Sequence, residues 1–140
     1  MNDSVPESSY VISLRITHPC LPADQLSAMM DVEPRFSGSV GDERKSGGKL
    51  LGGRHKSSFI VAPVFPKTTG DVMEGISNVI QRFWGKAAAL NDIVETGGRA
   101  ELFVGVFAME NWGFVMGLED MARLSAMKLE VSFDAYFGDD

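Results

Sequence analysis

Val72, Met73, Ile76, Val79, Ile80, Phe83, Ala87 and Leu90 recur at spacings of three and four, with Glu74, Gln81, Arg82 and Lys86 on the other side. A helix carrying such a stripe must lay it against a second layer, because amphipathic helices are held mainly by the packing of their apolar face. The pattern predicts one long helix over about 71–91. Thr68 or Thr69 is placed to cap it, Asp71 suits the positive end of its dipole, and Gly97-Gly98 closes the unit. Burying a large apolar side chain is worth ~1.5–3 kcal/mol, so this face is a main source of core energy. Trp84 lies off the centre of the stripe and either caps the core or meets a partner.

The opposing layer is written in period-two segments. Tyr10, Ile12, Leu14 and Ile16 alternate with Val11, Ser13, Arg15 and Thr17, a strand with one buried face that ends at His18-Pro19. Pro22 opens a short helix over about 23–30, and Pro34 closes that unit. Six glycines between Ser37 and Gly53 indicate a long loop or a loose hairpin. A strand follows over 57–64, and its prolines, Pro63 and Pro66, place it at a sheet edge. Arg99–Phe107 is apolar on both faces, the pattern of an inner strand, so Phe103 and Phe107 are expected in the core and Gly105 at a close approach. Asn111-Trp112-Gly113 is a turn, with a short returning strand over 114–116. A helix over 118–126 is expected to bury Leu118, Met121, Ala122 and Leu124. Over 128–137, Leu129, Val131, Phe133 and Ala135 alternate with Glu130, Ser132, Asp134 and Tyr136. The expected class is α+β: a ferredoxin-like two-layer sandwich with helices on one face of a mixed or antiparallel sheet, and two weakly similar β-α-β units joined by the long helix. Residues 1–9 are expected to form a disordered tail and 10–140 a single domain.

Composition narrows the function classes. The chain has 140 residues, enough for one core, and its nine Phe, two Tyr and two Trp exclude a disordered chain. No apolar run approaches the roughly 20 residues a membrane helix needs, the first residues lack a secretory signal pattern, and the single cysteine, Cys20, has no internal disulfide partner. A cytoplasmic location is the expectation. The net charge is −6, unevenly spread: between Arg35 and Lys67 seven cations stand against two carboxylates, leaving six cations and seventeen carboxylates elsewhere. An acidic body repels nucleic acid and anionic membranes and attracts a basic protein.

The order of several short motifs resembles the bacterial family catalogued as domain of unknown function 4279. They are Tyr10 through Pro19, Val32-Glu33-Pro34, Gly41-Asp42-Glu43-Arg44, Glu101 through Val106, Asn111 to Phe114, and Leu129 through Tyr136, spread over residues 10–137. Phe59 departs from the pattern, standing near where a tryptophan often begins the second strand. The resemblance implies an α+β fold and a bacterial cytoplasmic setting, and carries no activity.

Candidate chemistry is sparse. His18, His55 and Cys20 fall short of a zinc ligand set, and no cofactor or metal is expected. Gly48-Lys49 lacks the glycine and the hydroxyl residue that a P-loop requires. Asp134 with Glu101 on a neighbouring strand, Tyr136, Arg15 and His18 could line a cleft for acid–base work, and a small hydrolase or isomerase would rely on Asp134, Tyr136 and His18. Arg44, Lys49 and neighbouring cations suit an anion, and a cleft around Arg15, Arg44 and Tyr136 suits a small anion or metabolite sensor. Met109, Trp112, Phe114 and Met116 form either a protein-contact patch or a cap on the core. The function these features favour is a non-catalytic protein-binding module, for example the immunity partner of a bacterial toxin. It would engage a basic protein, through Arg15, Arg44, Lys49, Trp112, Phe114 and Tyr136, with self-association open and neither nucleic acid nor membrane as partner.

Overall fold

The computed structural model describes residues 8–108 and 110–138. Residues 1–7 of the expected tail, and Met109 of the expected patch, lie outside the described residues. The elements are β1 (Ser9–His18), α1 (Ala23–Met30), β2 (Phe36–Gly38), β3 (Glu43–Ser46), β4 (Lys49–Arg54), β5 (Ser58–Thr69), α2 (Val72–Phe83), α3 (Ala87–Glu95), β6 (Arg99–Ala108), α4 (Leu118–Ala126) and β7 (Leu129–Phe137). Five strands form one mixed sheet in the order β2-β5-β1-β6-β7, and β3 and β4 form a separate two-stranded ribbon. The fold is α+β, with the helices on one face of the sheet.

The alternation in β1 decides that layering. Tyr10, Ile12, Leu14 and Ile16 point to the helices and are buried, with Leu102, Val104 and Val106 of β6 beside them. The stripe on α2 answers with Val72, Ile76, Val79, Ile80 and Phe83, all buried. Tyr10 packs its ring against Gly75 of α2 and stacks on Phe65 at 5.7 Å. Burial first, then the nearby Glu74 carboxylate, raises the Tyr10 phenol above 10.0. Because the folded state holds this proton more tightly than the unfolded chain, the associated stability is complete below pH 10.0 and drains away as the pH rises further. Tyr10→Phe is therefore expected to flatten the fall of the urea midpoint between about pH 9 and about pH 11, where an ordinary phenol titrates. An unchanged slope in that variant would remove Tyr10 from the alkaline transition.

Several expectations change in the folded chain. The long helix is two, α2 and α3, separated by a single 3-10 turn at Trp84–Lys86. Gly85 sits in that turn, where its poor helix propensity breaks the run. Asp71, rather than a threonine, caps α2 by accepting a hydrogen bond from the Met73 N–H at 2.9 Å. Strand β5 extends to Thr69 through both prolines, which fall where its register with β1 shifts, so bulges accommodate them. It is an inner strand only over Phe59–Val61, the stretch that β2 covers. No strand forms over 114–116. In α4 only Leu124 is buried, while Leu118 is 82% exposed and Met121 44%. Leu124 faces the sheet, and Asp120 turns instead to the Ser77 hydroxyl on α2.

The two flanking units also differ. Strand β5 runs antiparallel to β1, whereas β7 runs parallel to β6. The chain therefore shares the two-layer build of a ferredoxin-like sandwich but carries more strands than its β-α-β-β-α-β order. The segment 37–53, read as a loop or hairpin, holds the end of β2 and most of the ribbon of β3 and β4, turned by Gly47-Gly48 with both φ positive. None of the described helices is long and apolar enough to cross a membrane.

Candidate functional site

Among the described residues, no helix covers the other face of the sheet. The odd-numbered positions of β1 and β6 reach it, together with the even-numbered positions of β7. Its rows can be read from the strand register. Arg15 lies opposite Glu101, which lies beside Glu130; Ser13 lies opposite Phe103, beside Ser132; Ser9 lies opposite Phe107, beside Tyr136.

Aromatic and charged groups pair along these rows. The Arg15 guanidinium sits 3.7 Å above the centre of the Phe103 ring, within cation–π range. Phe107 and Tyr136 stack with centroids 5.5 Å apart, and the Lys67 ammonium reaches to 4.3 Å from the Phe107 ring. Tyr136 donates its hydroxyl hydrogen to Asp134 at 2.5 Å, a bond that raises the phenol above its ordinary value. Arg99 pairs with Glu130 at 2.8 Å, an exposed contact that solvent and salt screen. Phe103 and Phe107, expected in the core, thus belong to this open face; Phe107 is 37% exposed. A strand apolar on both faces looked doubly covered, but here only one layer of helices covers it.

The remaining candidates lie elsewhere. His18 is buried on the helix side at the far end of β1. Its Nδ1 accepts the backbone N–H groups of Cys20 and Leu21, each at 3.0 Å, and its Nε2 lies 2.8 Å from the Thr96 hydroxyl. Asp134 is in register with Gly105 and so with Val11, seven residues along β1 from His18, or about 20 Å at strand rise. The trio of His18, Asp134 and Tyr136 is therefore not assembled; only Asp134 and Tyr136 meet. Arg15 and Tyr136 share the open face but lie six rows apart, about 20 Å. Arg44 stands on β3 and Lys49 on β4, so the anticipated cleft of Arg15, Arg44 and Tyr136 does not form. Trp112 and Phe114 gather on Phe133 at 6.1 and 5.0 Å. Trp112 is half-buried against the core and Phe114 is 36% exposed, so this segment is partly a cap and partly surface.

The open face is flat. A hollow on it of about 260 Å³, between Arg15, Thr17, Arg99, Glu101 and Glu130, is smaller than the roughly 300–1,000 Å³ of ordinary ligand sites. Among the described residues, no three of His, Cys, Asp and Glu come together as a metal site.

Lys67, Phe103 and Phe107 are the residues of this open face that sequence reasoning did not place there. A signal was available: Ser13, Arg15 and Thr17 make one side of β1 polar, and whatever β6 presents on that side shares its exposure.

A family model described as Domain of unknown function (DUF4279) matches residues 8–138. No curated protein and no solved structure matches the chain.

Proposed function

The chain belongs to the family described as Domain of unknown function (DUF4279), and we propose that it is a non-catalytic protein-binding module whose contact surface is the helix-free face of its sheet. The observation that carries this reading is the row of paired aromatics and cations on that face: Arg15 on Phe103, and Lys67 on the Phe107–Tyr136 stack. Tyrosine and arginine dominate protein-binding hot spots, because a rigid ring or a planar fork gains contact area at little entropic loss. A flat surface with both signs of charge suits a folded protein better than a metabolite. The net charge of −6 would draw a basic partner and make its on-rate fall with salt. Inhibition of a basic bacterial toxin in the cytoplasm is one role of this kind.

The test is capture from a bacterial lysate by immobilised protein, followed by binding of the purified partner to variants. Arg15→Ala and Tyr136→Ala are each expected to weaken binding by ~30-fold, the scale of a hot-spot truncation. Wild-type affinity in both variants would exclude the open face as the contact surface.

A further inference from the structure

The ribbon of β3 and β4 stands apart from the body. Every residue of both strands is exposed, including Leu50 at 63% and Leu51 at 53%. Its base is closed where the Gly41 N–H donates to the His55 carbonyl and the His55 N–H to the Asp42 carbonyl, each at 2.9 Å, and Arg54 donates to the Gly41 carbonyl at 2.7 Å. A lone two-stranded ribbon is marginally stable in water, and two adjacent exposed leucines gain nothing from solvent. Its charge is equally one-sided: Arg44, Lys45, Lys49 and Arg54 against the single carboxylate of Glu43.

The same chain carries a surface of the opposite kind. A cavity of about 560 Å³ opens beside α1 and β2, with Asp24, Asp31, Glu33 and Asp42 in its lining. Val32 and Pro34 add apolar wall, and no Lys or Arg lines it. Since Lys49, Leu50 and Leu51 are all exposed, the ribbon does not fill this cavity within its own chain.

We propose that the occupant of this acidic cavity is the basic ribbon of a second copy of the chain, so that two molecules exchange arms across a two-fold axis. Both halves of the contact are present once per chain, and a two-fold pair satisfies both at once, which is how closed homodimers form. Lys45 and Lys49 face the carboxylates of the partner copy, and Leu50 packs on its apolar wall. This surface is separate from the open sheet face, which stays free in the pair.

Sedimentation velocity on the full chain at micromolar concentration tests it. The wild type is expected to be a dimer that dissociates as salt is raised. Lys45→Glu with Lys49→Glu, and separately Asp31→Lys with Glu33→Lys, should each weaken the dimer by at least ~100-fold, since like charges in an interface cost several kcal/mol. Circular dichroism of both variants should match the wild type, because every substituted side chain is exposed. Mixing the two variants should restore a dimer, because one of its two contacts is then the wild-type pairing and the other is the same pairing with its charges reversed. Arg15→Ala and Tyr136→Ala should leave the dimer intact, which separates this inference from the reading of the open face. A monomeric wild type, a dimer that survives either reversal, or a mixture that stays monomeric would each overturn it.

Discussion

Gly98→Ala is expected to lower the stability of the domain by about 3 kcal/mol, at the upper end of what overpacking costs. A Cβ at this position would meet the Thr17 carbonyl oxygen at 2.7 Å, the Ile93 carbonyl oxygen at 2.8 Å and the Ile93 Cγ2 at 2.8 Å. Two of those three atoms are backbone and cannot swing aside. Thr17 belongs to β1, paired there with Arg99, and Ile93 closes the last turn of α3 by accepting the Gly98 N–H at 2.8 Å. The substitution therefore wedges the start of β6 away from both the central strand and the helix that feeds it. In a thermal melt the loss should appear as a fall in Tm of roughly 10 °C for a domain of this size. A shift within experimental error of zero would mean that β6 can start elsewhere, and the tightness of this corner would lose its meaning.

The second large effect belongs to His18. Its ring acts as a cap: Nδ1 takes the N–H groups of Cys20 and Leu21 where the chain turns out of β1 between Pro19 and Pro22. Cutting it back to alanine leaves two part-buried donors without an acceptor and a hole under Thr96, a loss of about 2–4 kcal/mol. Asparagine is the informative comparison, since its side-chain oxygen occupies nearly the place of Nδ1 and supports the same kind of turn. His18→Asn should recover at least half of what His18→Ala loses in denaturant melts. Equal losses in the two variants would show that packing, and not the turn, accounts for the residue.

That contrast shows what could be read from the chain beforehand. The alternation of β1 and β7 and the stripe of α2 were legible because each depends only on which neighbours within one element are apolar. The role of His18 was hidden, because its partners are backbone groups between two prolines and a threonine 78 residues away. Strand β5 was cut short in the reading because prolines argue against a ladder, whereas bulges at Pro63 and Pro66 let it continue to Thr69. Phe103 and Phe107 were misplaced for a third reason. Periodicity reports which face of a strand is apolar, but the number of layers covering a sheet is a property of the whole fold. Tyr136 and Asp134 were singled out and do meet, while Arg15 and Arg44 were joined in a cleft that the topology separates. The leucines of the β3–β4 ribbon drew no attention because glycine-rich context made them read as loop.

The place of β1 has a consequence for how the protein is made. Of the strands of this sheet, the central one is made first, and both of its neighbours come later: β5 after a gap of some forty residues, and β6 only when Ala108 has emerged. Until β5 emerges the nascent chain holds a ten-residue segment, Ser9–His18, with apolar side chains and two unpaired edges, and until β6 emerges one edge stays open. Loop closure over such distances is slow, and unpaired edges of this kind invite aggregation. Synthesis that stalls before residue 99 should thus release a sticky fragment, and a holdase that shields the emerging N-terminus should raise the yield of native protein more than one that acts after release.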